Sequence, residues 1–492
     1  MKTKPICTRR QFLHHTALTA GAFAAVPAMT FAQAGRSNYA DPRSPTSQSS
    51  AKPPYLVFLP LGEGAEGGIS PAKVFQDRKY IETLPIDGVV MMGRTVVSGK
   101  ETVPYCIWSN KESIKYAQVF EEAAPLRGTF SKLNRSWLFG KTTLKAGDWF
   151  GDWSTCLGNF ATMARACKDL GVEGLVLNNC NDQYHPIPIW EHPNSLTDTT
   201  KTLAAYRQQV RLRGKQIMEA CVKEYPAFKL ALMMGSAYAE RGDPHIGSSQ
   251  ESFALLTAFY SGLLAGAGEK GMVIDASVFY NAKERKLFVG SYQFRKYDIA
   301  SDRHNSPSIP KEDRALWRRR FKVGYGLCYG YTQEGMTHAL TQCDYMAWYY
   351  NGANNLDPET TKEKWWPKDR FPSLGAARAA ATAPGVNNVA SGIHFATTLG
   401  EATIQAKAGD ASFSYTLDYD NHTGSPATIA YPEKPDWVRA AANQPDISGV
   451  PPATPRTDTL VAVVSAAGKS DTLKLTIVTS ATPIPAAGGS DK

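Results

Sequence analysis

The chain has 492 residues, of which 43% are hydrophobic, and a formal net charge of +9. This length can hold one barrel-sized domain with a smaller module, or two to three ordinary domains. The longest basic block is Arg318–Arg320, which a solvated helix face explains better than nucleic-acid binding, so we expect no nucleic-acid partner.

The N-terminus has the three parts of an export signal. Arg9 and Arg10 precede Phe-Leu, an Ala-rich apolar segment follows over 16–28, and Ala32-Gln33-Ala34 supplies an A-x-A cleavage site. The apolar segment is shorter than the roughly 20 residues that a membrane span needs, and Pro27 interrupts it. Residues 1–34 therefore resemble a twin-arginine signal peptide. This predicts passage through the twin-arginine translocase, a periplasmic or secreted protein, and no stable membrane insertion.

The segment after the signal differs in composition from the rest of the chain. Residues 35–52 are rich in Ser, Pro and Gln without apolar periodicity, which predicts a disordered linker. From residue 53 onward, short apolar runs alternate with amphipathic segments. The runs lie at 55–59, 88–92, 136–139, 174–177, 229–234, 271–274, 323–329 and 345–350. Continuous apolar runs of this length are typical of strands buried on both faces, as in a parallel sheet covered by helices.

The segments between these runs have helical spacing. Helices are predicted over 160–170, 206–225, 253–267 and from the N-cap Thr332 to Thr341, with Gly171 ending the first. Because Glu334 follows Thr332 at a helix start, we assign it a structural role. About eight strands alternating with helices favour an α/β fold with a (β/α)8 TIM-like barrel over 53–385. The alternative is an open doubly wound sheet.

The composition changes again after about residue 385. Segments with period-two alternation, separated by Gly, Asp, Asn and Pro, predict a small β-sandwich over 386–482. Residues 483–492 are predicted to be a flexible tail.

Several classes of protein lack their sequence signatures. The Gly-rich segment 62–68 contains two carboxylates and is followed by no Gly-Lys-Ser/Thr, so it does not predict a phosphate-binding loop. No G-x-S-x-G, H-E-x-x-H or C-x-x-C occurs, and the cysteines outside the signal are predicted to be buried thiols. We therefore predict no cofactor and no metal.

In a (β/α)8 barrel, the active site is built from residues that follow the strands. Carboxylates, amides and aromatic residues occupy these positions, and such groups bind sugar hydroxyls and stack on pyranose rings. The candidates after the first and third strands are Glu63, Glu66, Asp148, Trp149, Asp152 and Trp153. Those after the fourth, sixth and last strands are Asn179, Asp182, Gln183, Tyr184, His185, Asp275, Tyr280 and Tyr350.

These residues also carry a family resemblance. The run 148–153, the strand 174–177 with Asp182-Gln183-Tyr184, and Val273-Ile274-Asp275 are similar to a group of exported bacterial glycosyl hydrolases with barrel folds. The similarity extends over about 53–367 as a pattern. It implies a glycoside hydrolase that acts on a poly- or oligosaccharide.

The departures from that family pattern are also informative. Relatives carry Glu before Gln-Tyr where this chain has Asp182, and a Glu where it has Val278; Tyr350 stands where an acid is expected. Glycoside cleavage uses two carboxyls about 5–9.5 Å apart. Asp182 as general acid and Asp275 as nucleophile or base are the predicted pair, with the roles exchangeable and Glu63 and Glu66 as substitutes.

Each candidate has an alternative role. An acid after a barrel strand often caps a helix or binds a loop amide, and His185 can be a surface-loop histidine. Asp148 and Asp152 beside tryptophans line a sugar subsite or simply order that loop. The competing function is a non-catalytic carbohydrate-binding barrel.

Overall fold

The protein is described by a computed structural model. The described residues are 54–60, 69–93, 95–97, 100–102, 105–108, 113–128, 135–142, 148–179, 189–193, 198, 200–245, 253–280, 282–302, 304–328, 331–351, 366, 370–384, 386–396 and 401–481. The predicted signal peptide, linker and tail lie outside them.

The apolar runs of the sequence form a large parallel sheet. Its strands are β1 (Tyr55–Pro60), β2 (Gly88–Met91), β5 (Tyr105–Cys106), β6 (Trp137–Lys141), β7 (Gly174–Asn178), β8 (Lys229–Leu232), β9 (Met272–Asp275), β10 (Val278–Tyr280), β11 (Phe321–Val323), β12 (Tyr325–Cys328) and β13 (Met346–Asn351). A short antiparallel pair, β3 (Thr95–Val97) and β4 (Lys100–Thr102), lies apart from it.

The pairing of these strands makes the sheet strongly curled. β1 pairs with β13 on one side and β2 on the other, and the order continues through β6, β7, β8 and β9 to β11. β10 pairs with β12, which in turn pairs with β13. All of these pairings are parallel, so the carboxyl ends of the strands lie along one edge.

Helices follow the strands along the chain. They are α1 (Pro71–Thr83), α2 (Tyr116–Ala123), α3 (Ser154–Leu170), α4 (Leu203–Glu224), α5 (Leu256–Gly266), α6 (Arg285–Gln293), α7 (Arg314–Arg320), α8 (Gln333–Thr341) and α9 (Phe371–Ala381). A π-helical turn, Phe294–Asp298, continues α6, and 3-10 turns lie at Ala124–Leu126, Ser236–Ala239 and Lys311–Asp313.

The predicted helix ends are confirmed at two positions. Gly171 ends α3 in the left-handed conformation, with φ 76°, which a residue without a Cβ atom adopts easily. The hydroxyl of Thr332 accepts a hydrogen bond from the Gly335 amide at 3.0 Å and caps α8. Glu334 lies in the first turn of this helix, in agreement with the structural role assigned to it.

Side chains fill both faces of the curled sheet. One hydrophobic cluster, including Val57, Ile274 and Trp348, consists only of residues on the strands or directly after them. The alternating strand residues, such as Phe58 and Val273, belong to a larger cluster with the helices. The first cluster therefore fills the concave side of the sheet, and the helices cover the convex side.

The C-terminal part forms separate small sheets. Its strands are β14 (Ile393–Phe395), β15 (Glu401–Lys407), β16 (Phe413–Thr416), β17 (Tyr419–Asn421), β18 (Thr428–Glu433), β19 (Val438–Ala440), β20 (Asp446–Gly449), β21 (Arg456–Ala466) and β22 (Lys469–Ser480). They pair in the orders β15-β22-β21-β18, β16-β20-β19 and β14-β17. Their buried residues share one hydrophobic cluster, from Ile393 to Ile477.

Candidate functional site at the carboxyl edge of the large sheet

The carboxyl edge of the large sheet is where sequence reasoning placed the site. Lys141 and Asn178, the last residues of β6 and β7, lie opposite each other there. The predicted residues Glu63, Glu66, Asp182, Gln183, Tyr184 and His185 lie outside the described residues, in the segments that follow β1 and β7. Tyr280 and Tyr350 lie in β10 and β13 at this edge, but their side chains are also outside the described set.

Asp275 is the last residue of β9, at the predicted edge, but its side chain does not face the interior of the curled sheet. Its neighbours Ile274 and Ala276 belong to the concave cluster, so by strand alternation its side chain points toward the helices. The carboxylate is 0% exposed and accepts hydrogen bonds from the amides and hydroxyls of Ser236 and Ser277. The Nη1 atom of Arg295 also donates to Oδ1 at 2.9 Å. These five donors occupy both oxygens, which suits an ionised structural carboxylate.

Arg295 is held in a complementary environment. The side chain is fully buried, and its guanidinium lies 4.6 Å from the ring centroid of Tyr325. Burial alone would lower the pKa of Arg295, but the negative charge of Asp275, together with Tyr325, Asp243 and the hydrogen bond to Asp275, raises this pKa. The pair is therefore a buried salt bridge joining the end of β9 to the π-helical turn after α6.

Trp149 and Trp153 also lie in the hydrophobic interior. They are 3% and 2% exposed, and their rings stack on each other with centroids 4.9 Å apart. Trp108 packs edge-on against both rings, with centroid distances of 5.8 Å to Trp149 and 5.4 Å to Trp153. Trp190 lies 5.5 Å from Trp149. Because other aromatic rings cover them, these two tryptophans stabilise the loop between β6 and α3.

The two acids of the same loop bind local partners. Asp148 accepts hydrogen bonds from the Tyr206 hydroxyl at 2.9 Å and from the Trp149 amide at 2.8 Å. Asp152 is exposed and accepts from the amide and hydroxyl of Ser154, and these bonds lower the pKa of Asp152. Of the two roles left open for these acids, the contacts favour ordering of the loop.

Asn179 lies just after β7 and binds backbone groups of the neighbouring strand connection. Its Nδ2 atom donates to the carbonyl of Met234 at 3.1 Å, and its Oδ1 atom accepts from the Met234 amide at 2.8 Å. Its own carbonyl accepts from the indole of Trp190 at 2.7 Å. The buried amide thus continues the hydrogen bonding between β7 and β8 beyond the strands.

The sequence analysis missed Arg295. It stands 20 residues after Asp275 in an amphipathic segment, without a local motif. The only available signal was an arginine in the helix that follows an acid-bearing strand, and many surface arginines share that feature.

Other chemical features can be reported for the described part of the chain. Cys156, Cys167, Cys221 and Cys343 are buried free thiols, as predicted, and burial raises the pKa of each. Within those ranges, no group of three or more His, Cys, Asp or Glu side chains could hold a metal ion. None of the helices described above is long and apolar enough to cross a membrane.

Comparison with known proteins identifies no family. No family model matches the chain, and no curated protein matches it. Among solved structures, the chain is similar to an endo-fucoidan hydrolase from glycoside hydrolase family 107. The identity is 11%, covering 86% of this chain and 67% of that one, with a TM-score of 0.32.

Two mannanase structures are also similar to the chain. One is the endo-β-1,4-mannanase from Thermotoga petrophila, with 7% identity, coverage of 86% of this chain and 98% of that one, and a TM-score of 0.34. The other is the β-mannanase from the blue mussel Mytilus edulis. It has 10% identity, coverage of 67% of this chain and 92% of that one, and a TM-score of 0.35. At TM-scores of this size, the likeness identifies neither a family nor an activity.

Proposed function

We propose that the protein is an exported glycoside hydrolase that acts on a poly- or oligosaccharide by carboxylate acid/base chemistry. One observation carries the proposal. The strands of the large sheet are parallel, so the segments after β1 and β7, which contain Glu63, Glu66 and Asp182, begin at the same edge. Acids gathered at the carboxyl edge of a curled parallel sheet are what hydrolysis of a glycosidic bond requires.

The proposal includes a closed (β/α)8 barrel over about 53–385. We count β9 and β10 as one interrupted strand, and β11 and β12 as another. The pairings then join eight strands, β1, β2, β6, β7, β8, β9/β10, β11/β12 and β13, and the last of these pairs with β1 again. The shared cluster of the C-terminal sheets supports a small β-sandwich over 386–482. The hydrophobic clusters change from one part to the other between Val389 and Ile393, near the expected boundary.

Within this proposal, Asp182 is the general acid, and Glu63 or Glu66 supplies the second carboxyl. Asp275 is proposed as a structural residue, because its carboxylate faces the helices and is saturated by five donors. Gln183, Tyr184, His185, Tyr280 and Tyr350 remain proposed substrate-binding residues. No cofactor is required for this chemistry.

The proposal is tested by replacing Asp182 with Asn. An amide keeps the shape but cannot give a proton, so turnover should fall about 10²-fold or more while ligand affinity and melting temperature change little. Reducing-end release from a panel of glycans measures turnover. Asp152→Asn, in the loop before α3, is the matched control and should retain activity. Full specific activity of Asp182→Asn would exclude the assigned role.

A second candidate function is a carbohydrate-binding barrel without catalysis. The orientation of Asp275 favours it, because this orientation removes Asp275 from the predicted catalytic pair of Asp182 and Asp275. Calorimetric binding of glycans without any release of reducing ends would support this candidate. Release by the wild-type protein that depends on Asp182 would support the hydrolase.

A further inference from the structure

Trp437 differs in exposure from the other tryptophans that the structure describes. Eight of these, at positions 108, 137, 149, 153, 190, 317, 348 and 366, are at most 7% exposed. Trp437 lies directly before β19 and is only partly buried, against the edge of the C-terminal hydrophobic cluster. A partly exposed tryptophan in a chain that buries the others is a candidate for ligand contact.

The indole ring of Trp437 is held in one orientation. Its Nε1 atom donates to Oδ2 of Asp458 in β21 at 2.8 Å. Phe413 of β16 contacts it edge-on, with centroids 5.4 Å apart. Gly449 approaches so closely that a Cβ atom there would lie 3.0 Å from Cε3 of the indole. A ring fixed in this way loses little conformational entropy when a ligand stacks on it.

Hydrogen-bonding groups lie beside this ring and are only partly used. Oδ2 of Asp458 accepts both from Trp437 and from Nε of Arg456, the latter at 2.9 Å. Among the described residues, Oδ1 of Asp458 and the two terminal nitrogens of Arg456 have no protein partner. The side chains are 16% and 48% exposed, so solvent and ligands reach them. Thr479, opposite Arg456 in β22, also has a hydroxyl without a partner there.

The charges of this group select the ligand class. Arg456 and Asp458 neutralise each other, so this pair has no net charge to attract an ion. It offers an acceptor and donors side by side, next to an aromatic ring. A pyranose presents an apolar ring face and neighbouring hydroxyls that both donate and accept.

We propose that Trp437, Arg456 and Asp458 form a binding site for a neutral carbohydrate in the C-terminal part of the protein. Its residues belong to the C-terminal sheets and the segment before β19, not to the large sheet. Its choice of ligand rests on the proposed function, because a hydrolase of polysaccharides gains from a second point of attachment to the polymer through a higher effective concentration.

The full chain is tested by affinity electrophoresis in gels containing mannan, xylan or mixed-linkage β-glucan. The wild-type protein should be retarded by at least one of them. Trp437→Ala and Arg456→Gln should each weaken this retardation at least tenfold. Val450→Ala, which truncates a 56% exposed side chain in the same part, is the matched control and should behave as wild type. If Trp437→Ala fails to fold, Arg456→Gln still tests the proposed site.

Two outcomes overturn the site: no retardation of the wild type by any of the three polysaccharides, or retardation of both variants within twofold of wild type. Reducing-end release from short soluble oligosaccharides separates this proposal from the hydrolase. If Trp437→Ala releases sugar from them at the wild-type rate but no longer binds polymer, both proposals stand. Binding that depends on Trp437 in a protein that releases no sugar would refute only the hydrolase.

Discussion

Arg295 donates a hydrogen bond from Nη1 to the backbone carbonyl of Gly324 at 3.2 Å, at the single residue that separates β11 from β12. The same nitrogen donates to the carbonyl of Asp275 at 3.3 Å, where β9 ends. The buried guanidinium therefore binds backbone groups at the interruptions of two neighbouring strands. Buried carbonyls need such partners, so the salt bridge with Asp275 supports the curled sheet where its ladder is irregular.

Asp275→Asn should destabilise the fold strongly. The substitution leaves the buried charge of Arg295 without its counter-ion, and loss of one partner of a buried pair typically costs about 3–5 kcal/mol. Denaturant unfolding measures the change in the free energy of unfolding. The exposed Asp152→Asn is the control and should change the free energy of unfolding much less, because it leaves no buried charge unpaired and an amide oxygen can still accept from Ser154. A normally stable Asp275→Asn protein that had lost turnover would instead indicate a catalytic role.

Gly174→Ala should also be destabilising, through the backbone. A Cβ atom at this position, the first residue of β7, would lie 2.0 Å from the carbonyl oxygen of Lys229 in β8. Backbone atoms of paired strands cannot move apart without loss of the ladder, so a cost of about 1–3 kcal/mol or more is expected. Thermal and denaturant unfolding would measure it.

The matched control for this glycine is Gly158→Ala. Gly158 lies inside α3, and nothing lies within 4 Å of where its Cβ atom would stand. An alanine in a helix interior is favoured over glycine by roughly 0.5–1 kcal/mol, so this variant should be slightly more stable than wild type. Equal effects of the two substitutions would contradict the close approach of β7 and β8.

Asp344 should make the stability of the protein depend on pH in acid. Burial alone would raise the pKa of this carboxyl, but the charges of Lys296 and Lys322 and the amide of Val323 lower it to about 2. Because the folded-state pKa is below the unfolded one of about 3.9, the contribution is present above pH 4 and is lost as pH falls toward 2.

The measurement is the denaturant midpoint of wild type and Asp344→Asn between pH 2 and 7. The difference between the two proteins should be largest above pH 4 and should shrink steadily as pH falls below it. Tyr292→Phe removes a hydroxyl that donates to Asp344 at 3.0 Å but keeps the charges, so its pH dependence should resemble wild type. A constant difference at every pH would show that Asp344 does not titrate as expected.

Export depends in our proposal on Arg9 and Arg10. Replacing both by lysine keeps the charge but changes the pair that the translocase reads, so the precursor should stay in the cytoplasm. Cell fractionation with immunoblotting locates the protein. Replacing Lys2 and Lys4 by arginine is the matched control, and normal export is expected. Export of the double-lysine variant at the wild-type level would refute the twin-arginine route.

Much of the secondary structure was predictable because its signals are local. The eight predicted apolar runs all lie on strands of the large sheet, whereas the short strands β5 and β10 were not predicted. The end of α3 at Gly171 follows from the freedom of glycine at positive φ. The bounds of some helices and strands differ from the predicted ones, because they depend on the tertiary arrangement. The predicted helix starting at 160 begins at Ser154, and the run 323–329 is divided at Gly324 into β11 and β12.

The orientation of the candidate site residues was not predictable in the same way. A strand buried on both faces is apolar throughout, so the sequence alone does not show whether Asp275 faces the interior of the sheet or the helices. The same holds for Trp149 and Trp153, whose spacing suits a sugar platform as well as a buried cluster. Both orientations depend on contacts with distant segments of the chain. Strand pairing and the contact with Arg295 fix Asp275, and packing against Trp108 fixes Trp149 and Trp153.

The sequence by itself determined the alternation of strands and helices, the change of composition near residue 385 and the acids that follow the strands, because each depends on neighbours in the chain. Only the tertiary structure decided which of those acids is neutralised in the interior. Desolvation and pairing of a charge depend on groups that the fold brings together. Asp275 pairs with Arg295, which is 20 residues away in the sequence, and Asp458 accepts a hydrogen bond from Trp437, which is 21 residues away.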